Sequence, residues 1–211
     1  MDSSSFGAGH WRAGAAGVSL ALASAIAFGQ ATSGDPAKAK VLASTNCVAC
    51  HGADGNSSEP RYPKLAGLQP EYIYKQLNDF KAGKRQSEIM APIVAVLSPD
   101  DFANLAAFFS AQKAAPGTVK DPKLAEQGKK IYHEGKPDVG VPSCSGCHYD
   151  KGEGTSRFPR IAGQHAEYTY QQLKAFKEAK RENDRGLAMQ SVALNMSDAD
   201  MRAVAEYVAG L

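Results

Sequence analysis

From residue 35 onward, apolar positions fall at helical spacing. Ile73, Leu77 and Phe80 share one face of a helix that begins after Gln69-Pro70. Leu105, Phe108 and Phe109 form a second stripe, and Val204, Tyr207 and Val208 repeat it close to the C-terminus. Helix starts are marked in the polar residues. Asp35-Pro36 and Asp121-Pro122 each set an N-cap side chain before a first-turn proline. Ser98 with Asp101, and Ser197 with Asp200, have capping-box spacing. No apolar/polar alternation of useful length is present, so the pattern predicts an all-α fold.

The same pattern occurs twice. Tyr62-Pro63-Lys64-Leu65-Ala66-Gly67 matches Phe158-Pro159-Arg160-Ile161-Ala162-Gly163. Tyr72, Tyr74, Gln76, Leu77, Phe80 and Arg85 recur as Tyr168, Tyr170, Gln172, Leu173, Phe176 and Arg181. Met90 and Leu97-Ser98 return as Met189 and Met196-Ser197. An internal duplication of this kind predicts two tandem domains, at 32–113 and 119–211, joined through 114–118 within the small-residue run Ala111 to Thr118. The second copy is longer in two places: between Ile131 and Ser143, and by three residues between Arg181 and Met189. Residues 1–31 read differently. Ala13 to Phe28 is uncharged, follows Arg12 and leads to small residues ending at Ala31, as in a secretory signal peptide cleaved there. The run is short for a membrane span; an uncleaved anchor is the other reading. Either way the remaining chain is expected outside the cytoplasm.

The candidate chemistry sits at the same point of each copy. Cys47-Val48-Ala49-Cys50-His51 returns as Cys144-Ser145-Gly146-Cys147-His148, and these use all four cysteines. Cys-x-x-Cys-His is the attachment signature of c-type haem: two thiols one turn apart reach the vinyl groups, and the histidine reaches the iron. A redox dithiol, a disulfide or a shared four-thiolate zinc site are the competing readings. The dithiol lacks a flanking strand, and zinc leaves the repeated histidine unexplained. Two covalently bound haem c groups are therefore expected, with His51 and His148 as axial ligands.

For the opposite axial position, the first copy leaves one candidate sulfur or imidazole, Met90. The second offers Met189, Met196, Met201, His133 and His165. The duplication selects Met189, which falls on Met90, whereas Met196 and Met201 fall on the core positions Leu97 and Phe102. Pro63 and Pro159 stand at similar distances after the two histidines. Each supplies a carbonyl that could orient the imidazole, or simply punctuates a loop.

Charge adds little. The chain carries 24 Lys and Arg against 22 Asp and Glu, a formal net charge of +2. Runs such as Lys177-Glu178-Ala179-Lys180-Arg181-Glu182 are mixed in sign, as on a solvated helix face. No basic stripe points to nucleic acid.

Taken together, the two haem motifs, Pro-x-Leu/Ile-Ala-Gly, Tyr-x-Tyr-x-Gln-Leu-x-x-Phe, an arginine and a methionine before the last helix resemble the cytochrome c4 family, from about Asp35 to Leu211. The resemblance implies two tandem class I cytochrome c domains, each wrapped around one haem with His/Met ligation. It implies carbonyl roles for Pro63 and Pro159. It also implies a non-enzymatic periplasmic carrier, loosely associated with the membrane, taking electrons from a quinol-oxidising complex or another donor and delivering them to a terminal oxidase. The competing classes are a subunit of a larger dehydrogenase or oxidase, and a dihaem redox enzyme with one open iron in the second domain.

Overall fold

The computed structural model describes residues 34–211. The proposed signal segment lies outside them. The first half contains α1 (Pro36–Leu42), a π-helical turn (Ala43–Cys47), α2 (Val48–His51), α3 (Pro70–Lys81), α4 (Met90–Ala95) and α5 (Pro99–Ser110). The second contains α6 (Pro122–Glu134), α7 (Ser145–His148), α8 (Ala166–Lys177), α9 (Ala188–Leu194) and α10 (Asp198–Ala209). Among the described residues the sole β feature is one isolated bridge, Lys136 to Val141.

The expected caps form. Asp35 accepts from the Ala37 N–H, Asp121 from those of Lys123 and Leu124, and reciprocal capping boxes open α5 and α10. Each half closes a core of its own. In the first, α1 and α3 pack on α5 around Ile73, Val94, Phe102, Leu105 and Phe109. In the second, α6 and α8 pack on α10 around Tyr132, Tyr170, Leu173, Met196, Val204 and Val208. The α6–α10 crossing is close because Gly128 lies on it: a Cβ there would stand 1.9 Å from the Ala203 carbonyl oxygen.

The halves meet through a polar surface with approximate two-fold symmetry. The Arg85 guanidinium donates to Gln76 of its own half at 2.7 Å, and to Tyr168 and Gln172 of the other at 2.8 Å each. Arg181 mirrors it, donating to Gln172 at 2.7 Å, Tyr72 at 3.0 Å and Gln76 at 3.3 Å. Each arginine also stacks on a phenylalanine of its own half, Phe80 or Phe176. The solvated face expected around Arg181 is thus corrected: α8 ends at Lys177, and Arg181 is only 8% exposed. It is buried because its charge is met by planar acceptors from both halves. The connecting run is held as well. Ala115 N–H donates to Asn56 at 2.8 Å, and Lys64 Nζ to the Pro116 carbonyl at 3.0 Å.

Candidate functional site

The two haem motifs occupy the same place in each half, on a short helix whose last residue is the histidine. His51 and His148 are both buried. His51 Nδ1 lies 2.8 Å from the Pro63 carbonyl oxygen, and His148 Nδ1 lies 2.9 Å from that of Pro159. A carbonyl only accepts, so Nδ1 carries the proton in each ring and Nε2 presents a lone pair. Among the described residues neither Nε2 has a hydrogen-bond partner. Burial lowers the pKa of both imidazoles, with the carbonyl bond opposing it. A neutral, oriented imidazole with a free lone pair is what an axial metal ligand requires.

The loops that deliver the proline carbonyls are folded back by one device. The Gly55 carbonyl accepts the N–H groups of Leu65 and Ala66, and the Gly152 carbonyl those of Ile161 and Ala162. Aromatic rings beside the prolines, Tyr62 and Phe158, meet the histidines edge-on with centroids 6.4 Å apart in both halves. The exit from the motif differs between copies. Gly52 leaves at φ 77, ψ 162, a region essentially reserved for glycine. Tyr149 takes the same path at φ 65, ψ 167. Its carbonyl is held by the Tyr132 hydroxyl at 2.6 Å.

All four cysteines are free. The Cys47 thiol is pushed up to about 11 by burial and by Cys50 beside it. Cys144 is likewise pushed up to about 11, chiefly by burial. These are protonated thiols, unlike the activated thiolates of redox dithiols. Among the described residues no three His, Cys, Asp or Glu side chains converge as a metal cluster. The thiols and the imidazole of each motif therefore do not address one point. They suit a broad flat group held along its edge by sulfur and at its centre by nitrogen, so the residues fit haem c.

Met90 and Met189 each lie in the first turn of a short helix, half-buried against the core of their own half. Met196 and Met201 are core residues, 1% and 3% exposed. The other two histidines of the second half are engaged elsewhere. His133 Nε2 lies 2.9 Å from the Tyr207 hydroxyl, and His165 Nε2 lies 2.9 Å from the Ser57 carbonyl of the first half. Sequence reasoning recorded Gln76, Arg85, Gln172 and Arg181 as repeated but gave them no task, and passed over Gly55, Gly152 and Asn183. Polar residues repeated exactly on a helix carrying an apolar stripe were the available signal for the second buried face.

Known proteins resemble the chain in sequence and in fold. The cytochrome c family model matches residues 36–113 and again 125–211. The chain is 44% identical to cytochrome c4 of Thiocapsa roseopersicina over 84% of its length and 93% of the relative's. It is 36% identical to the thiosulfate dehydrogenase electron acceptor of Stutzerimonas stutzeri, over 96% of this chain and 95% of that one. The crystal structure of reduced recombinant cytochrome c4 from Pseudomonas stutzeri superposes with a TM-score of 0.81 at 42% identity, covering 84% of this chain and 99% of that one.

Proposed function

The chain belongs to the cytochrome c family, as a dihaem cytochrome c4 electron carrier with two covalently attached haem c groups, and from that premise we propose that it works in the periplasm, passing electrons to a terminal respiratory oxidase. The domains are assigned to 32–113 and 119–211, a division supported by two cores that share no residue. Location outside the cytoplasm is supported by the uncharged segment after Arg12.

Each haem supplies an iron that cycles between ferric and ferrous, one electron at a time. The residues do the rest. Cys47 and Cys50, and Cys144 and Cys147, would hold the haems through thioether links, each S–H adding across a vinyl double bond. His51 and His148 would ligate through Nε2, with the Pro63 and Pro159 carbonyls holding the rings and raising their basicity. Met90 and Met189 would supply the second ligand of each iron, and methionine sulfur favours the reduced state. The surrounding cores keep water away, so little reorganisation accompanies electron transfer.

The duplicated imidazole–carbonyl clamp carries this reading. Were a histidine and a methionine to hold each iron, substrate would have no place there and transfer would be outer-sphere. That His133 and His165 are bonded to Tyr207 and Ser57 supports a carrier over an enzyme with an open second iron. An optical spectrum of the holoprotein with and without carbon monoxide tests it. Two low-spin haems indifferent to carbon monoxide are expected; binding in the wild-type protein by either haem overturns the carrier reading.

The similarity to a thiosulfate dehydrogenase electron acceptor over nearly the whole chain favours a second reading of the upstream partner. A thiosulfate-oxidising dehydrogenase would then be the donor in place of a quinol-oxidising complex. Mixing the oxidised protein with such a dehydrogenase and thiosulfate distinguishes them, because reduction within turnover times requires the pair to be competent.

A further inference from the structure

The two methionine segments are built alike but anchored differently. In the first half the Met90 N–H donates to Ser87 Oγ at 3.1 Å, and the Ala91 N–H to the Ser87 carbonyl at 3.0 Å. Among the described residues no side chain from Gln86 to Ile89 bonds to the second half. In the second half the three additional residues bring Asn183 and Asp184 between Arg181 and Met189. Asn183 is buried and gripped by the first half. Its Nδ2 donates to Asp79 Oδ2 at 2.7 Å and to Gln76 Oε1 at 3.0 Å, while its carbonyl accepts from Lys75 Nζ. Arg181 Nε holds its Oδ1 at 3.0 Å.

Asp184, the next residue, turns the other way. Its Oδ2 accepts the Met189 N–H at 2.7 Å and the Gln190 N–H at 3.4 Å, and its Oδ1 accepts from the Gln190 side chain at 3.1 Å. One peptide unit thus separates the group held by the first half from the carboxylate that fixes the start of α9. Between Asp184 and Met189 the chain passes through two left-handed residues, Gly186 at φ 63 and Leu187 at φ 57. Leucine disfavours that conformation, and Leu187 is exposed. The turn depends on its anchor.

We infer that the first half positions the axial methionine of the second: Asp79, acting through Asn183 and Asp184, holds Met189 at its iron. The relay through Asn183 and Asp184 has no counterpart in the Met90 segment, whose own tie to the second half is Arg85, two residues before Ser87. Disturbing the interface at Asp79 loosens the iron–sulfur bond of the distant domain and leaves that of its own domain intact. Asp79 and Asn183 are positioning residues, and the inference rests on Met189 being the ligand.

The test uses the full-length protein carrying both haems. Met189→Ala comes first. It should open about half of the reduced haem to carbon monoxide and so identify the second haem by spectrum and potential. If it does not, the ligand assignment fails and the inference falls with it. Once Met189→Ala has opened that haem, Asp79→Ala and Asn183→Ala decide the coupling alone. Each should raise carbon monoxide affinity at the second haem about tenfold, as loss of one hydrogen bond to a charged group would. Each should also weaken the sulfur-to-ferric-iron absorption of that haem and lower its potential, with the first haem unmoved. Asp79→Asn, which keeps an acceptor for Asn183, should restore most of the wild-type behaviour. Wild-type affinity and potential in both alanine variants overturns the inference, and so does an equal shift of both haems. Should Asp79→Ala fail to assemble, Asn183→Ala carries the same comparison.

Discussion

Two single residues mark where the copies have diverged. Tyr149 occupies the glycine-type conformation that Gly52 takes in the first half. Backbone of that kind costs about 1–3 kcal/mol, of which glycine returns roughly 0.5–1 kcal/mol in unfolded-chain entropy. Tyr149→Gly is therefore expected to stabilise the second half by about 1 kcal/mol in denaturant titration, since its side chain is half exposed. His165 stands where the first half has Gln69, and both side chains reach a backbone carbonyl across the interface, Ser57 and Glu153 respectively. The pKa of His165 is lowered by burial first, against its bond to Ser57, with Lys64 and Lys120 nearby adding to the lowering. A group whose folded pKa lies below the unfolded value takes up its proton first in the unfolded chain. Stability contributed by His165 is thus full at neutral pH and declines as pH falls below the ordinary histidine range. His165→Gln should flatten that acid-side decline in thermal melts taken from about pH 7 to about pH 5.

At the scale of elements, the capping boxes of α5 and α10 look equivalent in sequence and differ in surroundings. Ser98→Ala and Ser197→Ala should each cost about 1 kcal/mol. The acidic partners will not match. Asp101 answers only Ser98, whereas Asp200 is 9% exposed and also accepts Lys136 Nζ at 3.0 Å. Burial pushes the Asp200 carboxyl up, and its bonds to Ser197 and Lys136 outweigh that and hold it low. Asp200→Ala should cost more than Asp101→Ala by about 1–2 kcal/mol in equilibrium unfolding, because it leaves Lys136 without its partner. Lys136 belongs to the additional loop of the second half, so the longer connection is fastened to α10 through a residue already present for capping.

For the whole molecule, what matters is that the halves are tied together by buried polar groups. Two buried guanidiniums share four neutral acceptors, and around Tyr72 burial raises the phenol while Arg181 and Arg85 overcome it and lower its pKa. Replacing both Arg85 and Arg181 by leucine removes the planar forks, strands Gln172, Tyr72 and Tyr168 without donors and leaves Gln76 only Asn183. Calorimetry of the holoprotein should then resolve two transitions where the wild-type protein gives one.

Much of this was legible from residues alone. Helix starts at Asp35, Ser98, Asp121 and Ser197 were readable because a cap is a local bargain between a side chain and the next two or three N–H groups. The duplication, the haem motifs and the core stripes were readable because chemistry and helical period repeat at fixed spacing. In the Lys177–Glu182 run, Glu178, Lys180 and Glu182 are exposed as expected and Arg181 alone departs: a polar residue looks solvated until another surface covers it. The bond of Arg181 to Tyr72, the grip of Asp79 on Asn183, and the engagement of His133 by Tyr207 and of His165 by Ser57 all join residues that are distant along the chain. Sequence by itself determined the elements and the chemistry, since both are set by neighbours in the chain. Only the tertiary structure decided which polar faces are buried together, because that depends on how two separately closed cores are brought into contact.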